Sequence, residues 1–333
     1  MTDFDNRLNE YLQTRALPTA VEILTPDAST REYFRITWNN SSAIACVYPE
    51  PFVAAEQSYL DATNLFHRNG LPVAEVYDFD EKLGVIVQED LGNTILRDVL
   101  VSSDPKTREK LLSDSISLIA KIQAATKDAI SSNSIAGKLK FDVEKLVWEL
   151  EFFRTHYFET FKKSPLSSSD VADLETEFRD LAADLQSRAT VLCHRDFHAA
   201  NLMLDKSGNI RIIDHQDARI GCAAYDLVSL LLDRVNEPPS PEWLAEKQRY
   251  FLEERGSLNL PALDETDFAY EFLLQTVQRC LKAVGTFSFQ SVNRGKTYFI
   301  PFIRPMFAIT LRAAQEVDRF PRLRRLIELE LES

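Results

Sequence analysis

The chain has 333 residues, with 38 Lys and Arg against 51 Asp and Glu, a net charge of −13, and 45% hydrophobic residues. This is a globular composition, and at about 150 residues per domain the length suggests two domains or lobes. The acidic balance speaks against nucleic acid and anionic membranes as partners, and no stretch of about 20 apolar residues offers a membrane span.

The first ten residues include Asp3, Asp5 and Glu10 and no apolar run, so no secretory pattern is expected. Tyr33 to Trp38 and Ala43 to Tyr48 read as a hairpin turning at Asn39-Asn40-Ser41-Ser42. From Val53 to Asn69, Ala55, Tyr59, Ala62 and Phe66 recur at helical spacing, and Asn69-Gly70 supplies a stop. Val73 to Asp80 and Leu83 to Gln88 form a further strand pair. After Asp90-Leu91-Gly92 the pattern becomes helical, over Lys106 to Thr126, Asp142 to Phe158, Ser169 to Arg188, Pro241 to Arg255, Thr266 to Phe287 and Tyr298 to Arg319. A small β insert interrupts it at Val191-Leu192-Cys193, Leu202-Met203-Leu204 and Ile210 to Ile213. Cys46, Cys193, Cys222 and Cys280 show no CxxC spacing, which fits reduced thiols in a cytoplasmic protein.

The insert carries the chemistry. His194-Arg195-Asp196 followed by four residues and Asn201 matches the HRDxxxxN loop of phosphoryl transfer, in which Asp accepts a hydroxyl proton and Asn holds magnesium. Asp214 ends the second hairpin strand, where a kinase places its other magnesium ligand. A hairpin with Asn201 at its entrance and Asp214 at its exit brings two hard oxygen ligands together. A metallohydrolase using His194, His198, Asp214 and His215 is the competing reading, and the spacing disfavours it. His194 reads as structural, Arg195 as the partner of a carboxylate, and Asp226 as a helix N-cap and a buried brace for the catalytic loop, two roles that can hold together.

His194 to His198, Asn201-Leu202-Met203, Ile213 to Ala218 and Tyr225-Asp226-Leu227 resemble the aminoglycoside phosphotransferase and choline kinase-like family. Asp27 to Arg35, Glu89 to Gly92 and Leu281 to Phe287 resemble its subgroup of anomeric kinases acting on N-acetylmuramate and N-acetylglucosamine in cell-wall recycling. The resemblance implies an α+β, bilobal protein-kinase-like fold, with a β-rich nucleotide lobe over residues 1–92 and a helical lobe over 93–333. It implies ATP and Mg²⁺, with Asp196 as base, Asn201 and Asp214 as metal ligands, and Glu89 and Leu91 at an adenine-binding hinge. Ser29, Thr30 and Arg31 would cover the phosphates. His198, Gln216, Asp217 and Arg219 are expected beside a small sugar substrate, with Arg195, Arg211 and Arg219 favouring an uncharged or acidic one. A cytoplasmic monomer without nucleic-acid or membrane partners is expected.

One departure stands out. The strand that normally carries a phosphate-gripping lysine reads Ile44-Ala45-Cys46-Val47-Tyr48, and the first lysine of the chain is Lys82. Arg31 or Arg35 is expected to supply the charge, and Glu56 loses its usual partner. The same absence allows a non-catalytic pseudokinase, and the net acidity allows an aminoglycoside or amino-alcohol kinase.

Overall fold

The computed structural model describes residues 3–17, 20–24 and 30–332. Helix α1 (Asp3–Thr14) precedes the strands β1 (Glu22–Leu24), β2 (Glu32–Trp38) and β3 (Ser41–Val47). Its Phe4, Leu8, Tyr11 and Leu12 share one helical face, a short signal that the sequence reading passed over. Asn39 and Asn40 adopt φ of 47° and 65°, as a two-residue turn between right-twisted strands requires, so the turn is tighter than expected. Ser41 and Ser42 belong to β3 and pair with Trp38 and Thr37.

Helix α2 (Ser58–Arg68) and strands β4 (Val76–Asp80) and β5 (Val85–Glu89) complete an antiparallel sheet of order β1-β2-β3-β5-β4 among the described residues. Val85, Ile86 and Val87 are all buried because β5 is covered on both faces. Leu8, Tyr11 and Leu12 of α1 pack on one face, and Tyr59 and Leu60 of α2 meet Ile86 on the other. Glu56 lies in an exposed 3₁₀ turn ahead of α2, outside the helix expected to carry it.

The rest is mainly helical: α3 (Leu96–Ser102), α4 (Pro105–Ala124), α5 (Thr126–Ser131), α6 (Ile135–Lys138), α7 (Val143–Arg154) and α8 (Ser168–Arg188). Then come the short strands β6 (Val191–Cys193), β7 (Leu202–Leu204), β8 (Ile210–Ile212) and β9 (Arg219–Gly221). Helices α9 (Tyr225–Leu232), α10 (Pro241–Ser257), α11 (Glu265–Asn293), α12 (Ile303–Glu316) and α13 (Pro321–Glu332) follow. Strands β7 and β8 form the expected hairpin, while β6 pairs with β9, which was not foreseen.

Helix α11 runs through one large core shared with α4, α7, α8, α9 and α12. Leu65 and Phe66 of α2, with Leu71 and Val73, pack into this same core, so the end of α2 is anchored outside the sheet. Gly285 on α11 sits against the backbone of Phe153, where an added Cβ would lie 2.7 Å from its Cα. Only glycine lets α11 approach α7 this closely.

Candidate active site

Strand β6 leads into His194, Arg195 and Asp196. The Asp226 carboxylate accepts the backbone N–H of His194 at 2.7 Å and that of Arg195 at 3.0 Å. This is the bracing arrangement anticipated for Asp226. Its role as an N-cap is corrected, because α9 begins at Tyr225 and Asp226 lies within the first turn. Burial pushes the Asp226 carboxyl up to about 6. Arg195 holds φ at 87°, a left-handed conformation costing about 1–3 kcal/mol for a non-glycine residue, and the two bonds to Asp226 maintain it. His194 is fully buried, and its Nε2 contacts the Ile213 carbonyl at 2.9 Å, joining the loop to the segment before Asp214.

Asn201 and Asp214 meet as the hairpin predicts. The Ile213 N–H donates to the Asn201 carbonyl at 3.1 Å. Asn201 Nδ2 donates to the Asp196 carbonyl at 3.0 Å and lies 3.3 Å from Asp214 Oδ2. Gln216 Nε2 donates to Asp214 Oδ1 at 2.7 Å, and Asp214 takes φ of 63°. These three residues therefore form one cluster with Asp196.

The two candidate arginines separate. Arg31 reaches Asp214 Oδ1 at 3.9 Å, lies over the rings of Tyr33 and Tyr48, and donates to the Tyr48 hydroxyl at 3.4 Å. Its charge acts on Cys46 of β3, in the strand stretch where a lysine was missing. Arg35 is turned elsewhere: Nε donates to Asp90 at 2.8 Å, and the other nitrogens reach Glu22 and Asn93. Thr30 is exposed beside Arg31, and Ser29 lies outside the described residues.

At the end of β5, where a hinge was expected, Leu91 is buried and the Glu89 side chain is gripped by Arg211 through both terminal nitrogens. Arg211 also donates to the carbonyls of Pro72 and Val73. Arg211, expected near the site beside Arg195 and Arg219, is thus directed away from them, because Glu89 offers it a bidentate carboxylate.

His215 is buried between Tyr59 and Phe66, with Nε2 2.7 Å from Thr63 Oγ1, and burial pushes its imidazole down to about 3. Nε2 of His194 and Nε2 of His215 each face a neighbouring oxygen, and among the described residues no group of three or more His, Cys, Asp or Glu is placed to hold a metal ion. Asp217 pairs with Arg195 at 2.6 Å and with Arg219 at 3.4 Å, while Arg219 lies over the Phe141 ring. His198 is close to Asp196, and burial lowers its pKa from the ordinary histidine value.

Around Asp196 the structure gathers cations that the motif did not reveal. Lys282 Nζ lies 3.5 Å from Oδ1, Arg279 3.7 Å from the same oxygen, and Arg195 Nε 3.8 Å from Oδ2. Burial alone would raise the Asp196 carboxyl, but Lys282, then Arg279, Arg195 and His198, hold it well below the usual carboxylate range. Both new cations come from α11, some 80 residues away in sequence and one turn apart on the helix. Lys282 lay inside a segment already singled out, but only the helical spacing to Arg279 hinted that the two act together.

Residues 20–264 match the family model described as the phosphotransferase enzyme family. The chain belongs to the phosphotransferase enzyme family. An N-acetylmuramate/N-acetylglucosamine kinase of Neisseria meningitidis is 31% identical over 86% of this chain and 83% of the relative. Its namesake from Pseudomonas aeruginosa is 28% identical over 91% of this chain and 85% of that one. Among solved structures, a choline kinase from Streptococcus pneumoniae shares the fold with a TM-score of 0.57 at 15% identity, covering 96% of this chain and all of the other. An ADP-bound aminoglycoside phosphotransferase, APH(2″)-Ib, shares it at 0.58 and 14% identity over 93% and 98%. The phosphotransferase fold explains why a β-rich lobe and a helical lobe meet at the Asp196–Asn201–Asp214 cluster. Among the described residues no helix is long and apolar enough to cross a membrane.

Proposed function

We propose that this phosphotransferase moves the γ-phosphoryl group of ATP to the anomeric hydroxyl of N-acetylmuramate, N-acetylglucosamine or both. The observation that carries this is the meeting of Asp196, Asn201, Asp214 and Arg31 at one end of the hairpin. Asn201 and Asp214 suit magnesium, which takes hard oxygens from few side chains and keeps others from water and phosphate. When bound, the ion supplies neutralisation of phosphate charge. Arg31 takes the place of the absent strand lysine, and a guanidinium suits phosphate oxygens bidentately. The pseudokinase reading loses its motive once that cation is accounted for.

In the reaction, the acceptor O–H bond breaks and its proton passes to the Asp196 carboxylate. The acceptor oxygen bonds to the γ-phosphorus as the bond to the bridging oxygen breaks, and ADP leaves. An anomeric hydroxyl is more acidic than an ordinary alcohol, so the demand on Asp196 as a base is modest. Phosphoryl transfer through a loose transition state asks little more of it than orientation.

The names of the relatives support the sugar class, and so does the charge near Asp196. Arg195, Arg219, Arg279 and Lys282 surround this end of the cleft, an environment hostile to polycationic drugs or amino alcohols. Four buried, unpaired cysteines and the proposed use of ATP support action in the cytoplasm on a small molecule. The test is incubation with ATP and each acceptor, following ADP release and disappearance of the sugar reducing end. Turnover of choline or kanamycin but of neither N-acetyl sugar would overturn the reading.

A further inference from the structure

The catalytic loop offers the transferred phosphoryl group little positive charge. Its residues 199 and 200 are alanines, and Arg195 is drawn to Asp217 at 2.6 Å. Yet a group leaving ADP with its charge spread over three equatorial oxygens needs a cation beside the line of transfer. The acceptor oxygen must lie within hydrogen-bond reach of Asp196 to lose its proton there. Any cation already resting on that carboxylate therefore borders the reacting atoms.

Two do so, and they differ. Arg279 is tied by Nε to the Ser229 hydroxyl at 2.7 Å and lies deep in the lobe. Lys282 is held by three oxygens at its ammonium: Asp196 Oδ1 at 3.5 Å, Glu149 Oε1 at 3.3 Å and the Tyr225 hydroxyl at 3.3 Å. Glu149 is buried on α7, and its second oxygen accepts from Gln278 Nε2 at 2.8 Å. The close approach at Gly285, one turn from Lys282, holds α7 and α11 together and so fixes this carboxylate under the ammonium. Lys282 thus keeps two anchors, Glu149 and Tyr225, when an acceptor hydroxyl takes its place on Asp196.

We propose that Lys282 is a further catalytic residue, whose ammonium, released from Asp196 by the incoming acceptor, meets the oxygens of the phosphoryl group in flight, and that Glu149 is its positioning residue. The proposal rests on the phosphoryl-transfer reading above. Bonds made and broken are those already given; Lys282 contributes charge and neither gains nor loses a proton.

The test compares Lys282→Met, Lys282→Arg and Glu149→Gln with the wild type, using N-acetylglucosamine and N-acetylmuramate as acceptors. For Lys282→Met, kcat is expected to fall about 100-fold with both sugars while KM for ATP and sugar stays within about threefold. Calorimetry supplies a readout independent of turnover. ADP with magnesium and aluminium fluoride, which mimics the phosphoryl group in flight, should bind Lys282→Met about 100-fold more weakly, with ADP affinity unchanged. Lys282→Arg should recover part of both losses, and Glu149→Gln, which keeps the shape of the site, should lower kcat about tenfold without changing KM. Unchanged kcat and unchanged fluoroaluminate binding in Lys282→Met would overturn the proposal. So would a loss confined to the carboxylate-bearing N-acetylmuramate, since Lys282 would then recognise that carboxylate. If Lys282→Met does not fold, the Arg and Gln variants decide by the same two measurements. Should the wild type turn over neither sugar, the acceptor assignment fails, while fluoroaluminate binding still decides the role of Lys282.

Discussion

The two sides of the proposed site are built on different principles. On the side proposed for the phosphates, Asn201 and Asp214 come from one hairpin and are charged against a single arginine, Arg31, carried by the sheet. On the side proposed for the acceptor, Asp196 is surrounded by Arg195, Arg279 and Lys282, brought from a loop and a distant helix by tertiary packing. Local chain geometry makes the first site, and the large core makes the second. Damage to the first should therefore show in activity alone, whereas damage to the second should reach stability too.

The largest effect is expected from Asp196→Asn, which keeps the shape of the proposed acceptor side and removes the proton acceptor. kcat should fall about 10³–10⁴-fold with ATP affinity retained, as measured by steady-state kinetics and calorimetry. Arg31→Met probes the other side: kcat/KM should fall about 10²-fold with no change in thermal midpoint. Asp226→Ala should do both. It strands the buried N–H groups of His194 and Arg195, at about 1–3 kcal/mol each, and releases the strained Arg195 backbone, so denaturant unfolding and kcat should fall together.

A subtler contrast comes from Glu271, which accepts the Ala224 N–H at the start of α9 and is pushed up to about 7 by burial. Because its folded pKa lies above its unfolded one, the ionised form costs stability at high pH, and that cost disappears as pH falls below the unfolded value of about 4.3. Glu271→Gln should be more stable than wild type at pH 8, by at most about 3 kcal/mol, and the difference should vanish near pH 4 in urea titrations. The smallest effect is expected from Arg35→Ala. Its partners are Asp90, Glu22 and Asn93, so kcat/KM should change by less than about threefold and the thermal midpoint by a degree or two.

The same contrast separates what the sequence made legible. The HRDxxxxN loop, the hairpin and Asp214 could be read directly because their geometry is set over a few residues with strand periodicity and a Gly208 turn. The contact of Asp226 with the loop spans 31 and 32 residues and was expected from the Tyr225-Asp226-Leu227 motif rather than from local geometry. Arg211 was misplaced because its charge says nothing about which carboxylate it will find, and the carboxylate of Glu89 lies 122 residues away. Arg279 and Glu149 carried no motif of their own, and the motif that contains Lys282 did not tell that it faces Asp196, since only the packing of α7 against α11 brings them there. Helix α1 was missed because polar residues outnumber its few apolar positions, although Phe4, Leu8, Tyr11 and Leu12 keep helical spacing. The tether between lobes escaped for another reason. The sequence showed only that the strand lysine was absent and Glu56 without its usual partner, and no motif announces the packing of Thr63, Tyr59 and Phe66 around His215.

That tether has a mechanical consequence when taken with the grip of Arg211 on Glu89. The sheet lobe is joined to the helical lobe along a line of contacts rather than at a point: at Glu89, at Asp61, which accepts the Ile135 N–H at 2.8 Å, at Asn69, which donates to Asp128 at 2.7 Å, and under α2, where Leu65 and Phe66 enter the large core beside His215. Joints spread in this way oppose rotation about any one of them, so Asp214, next to His215, keeps its place relative to α2.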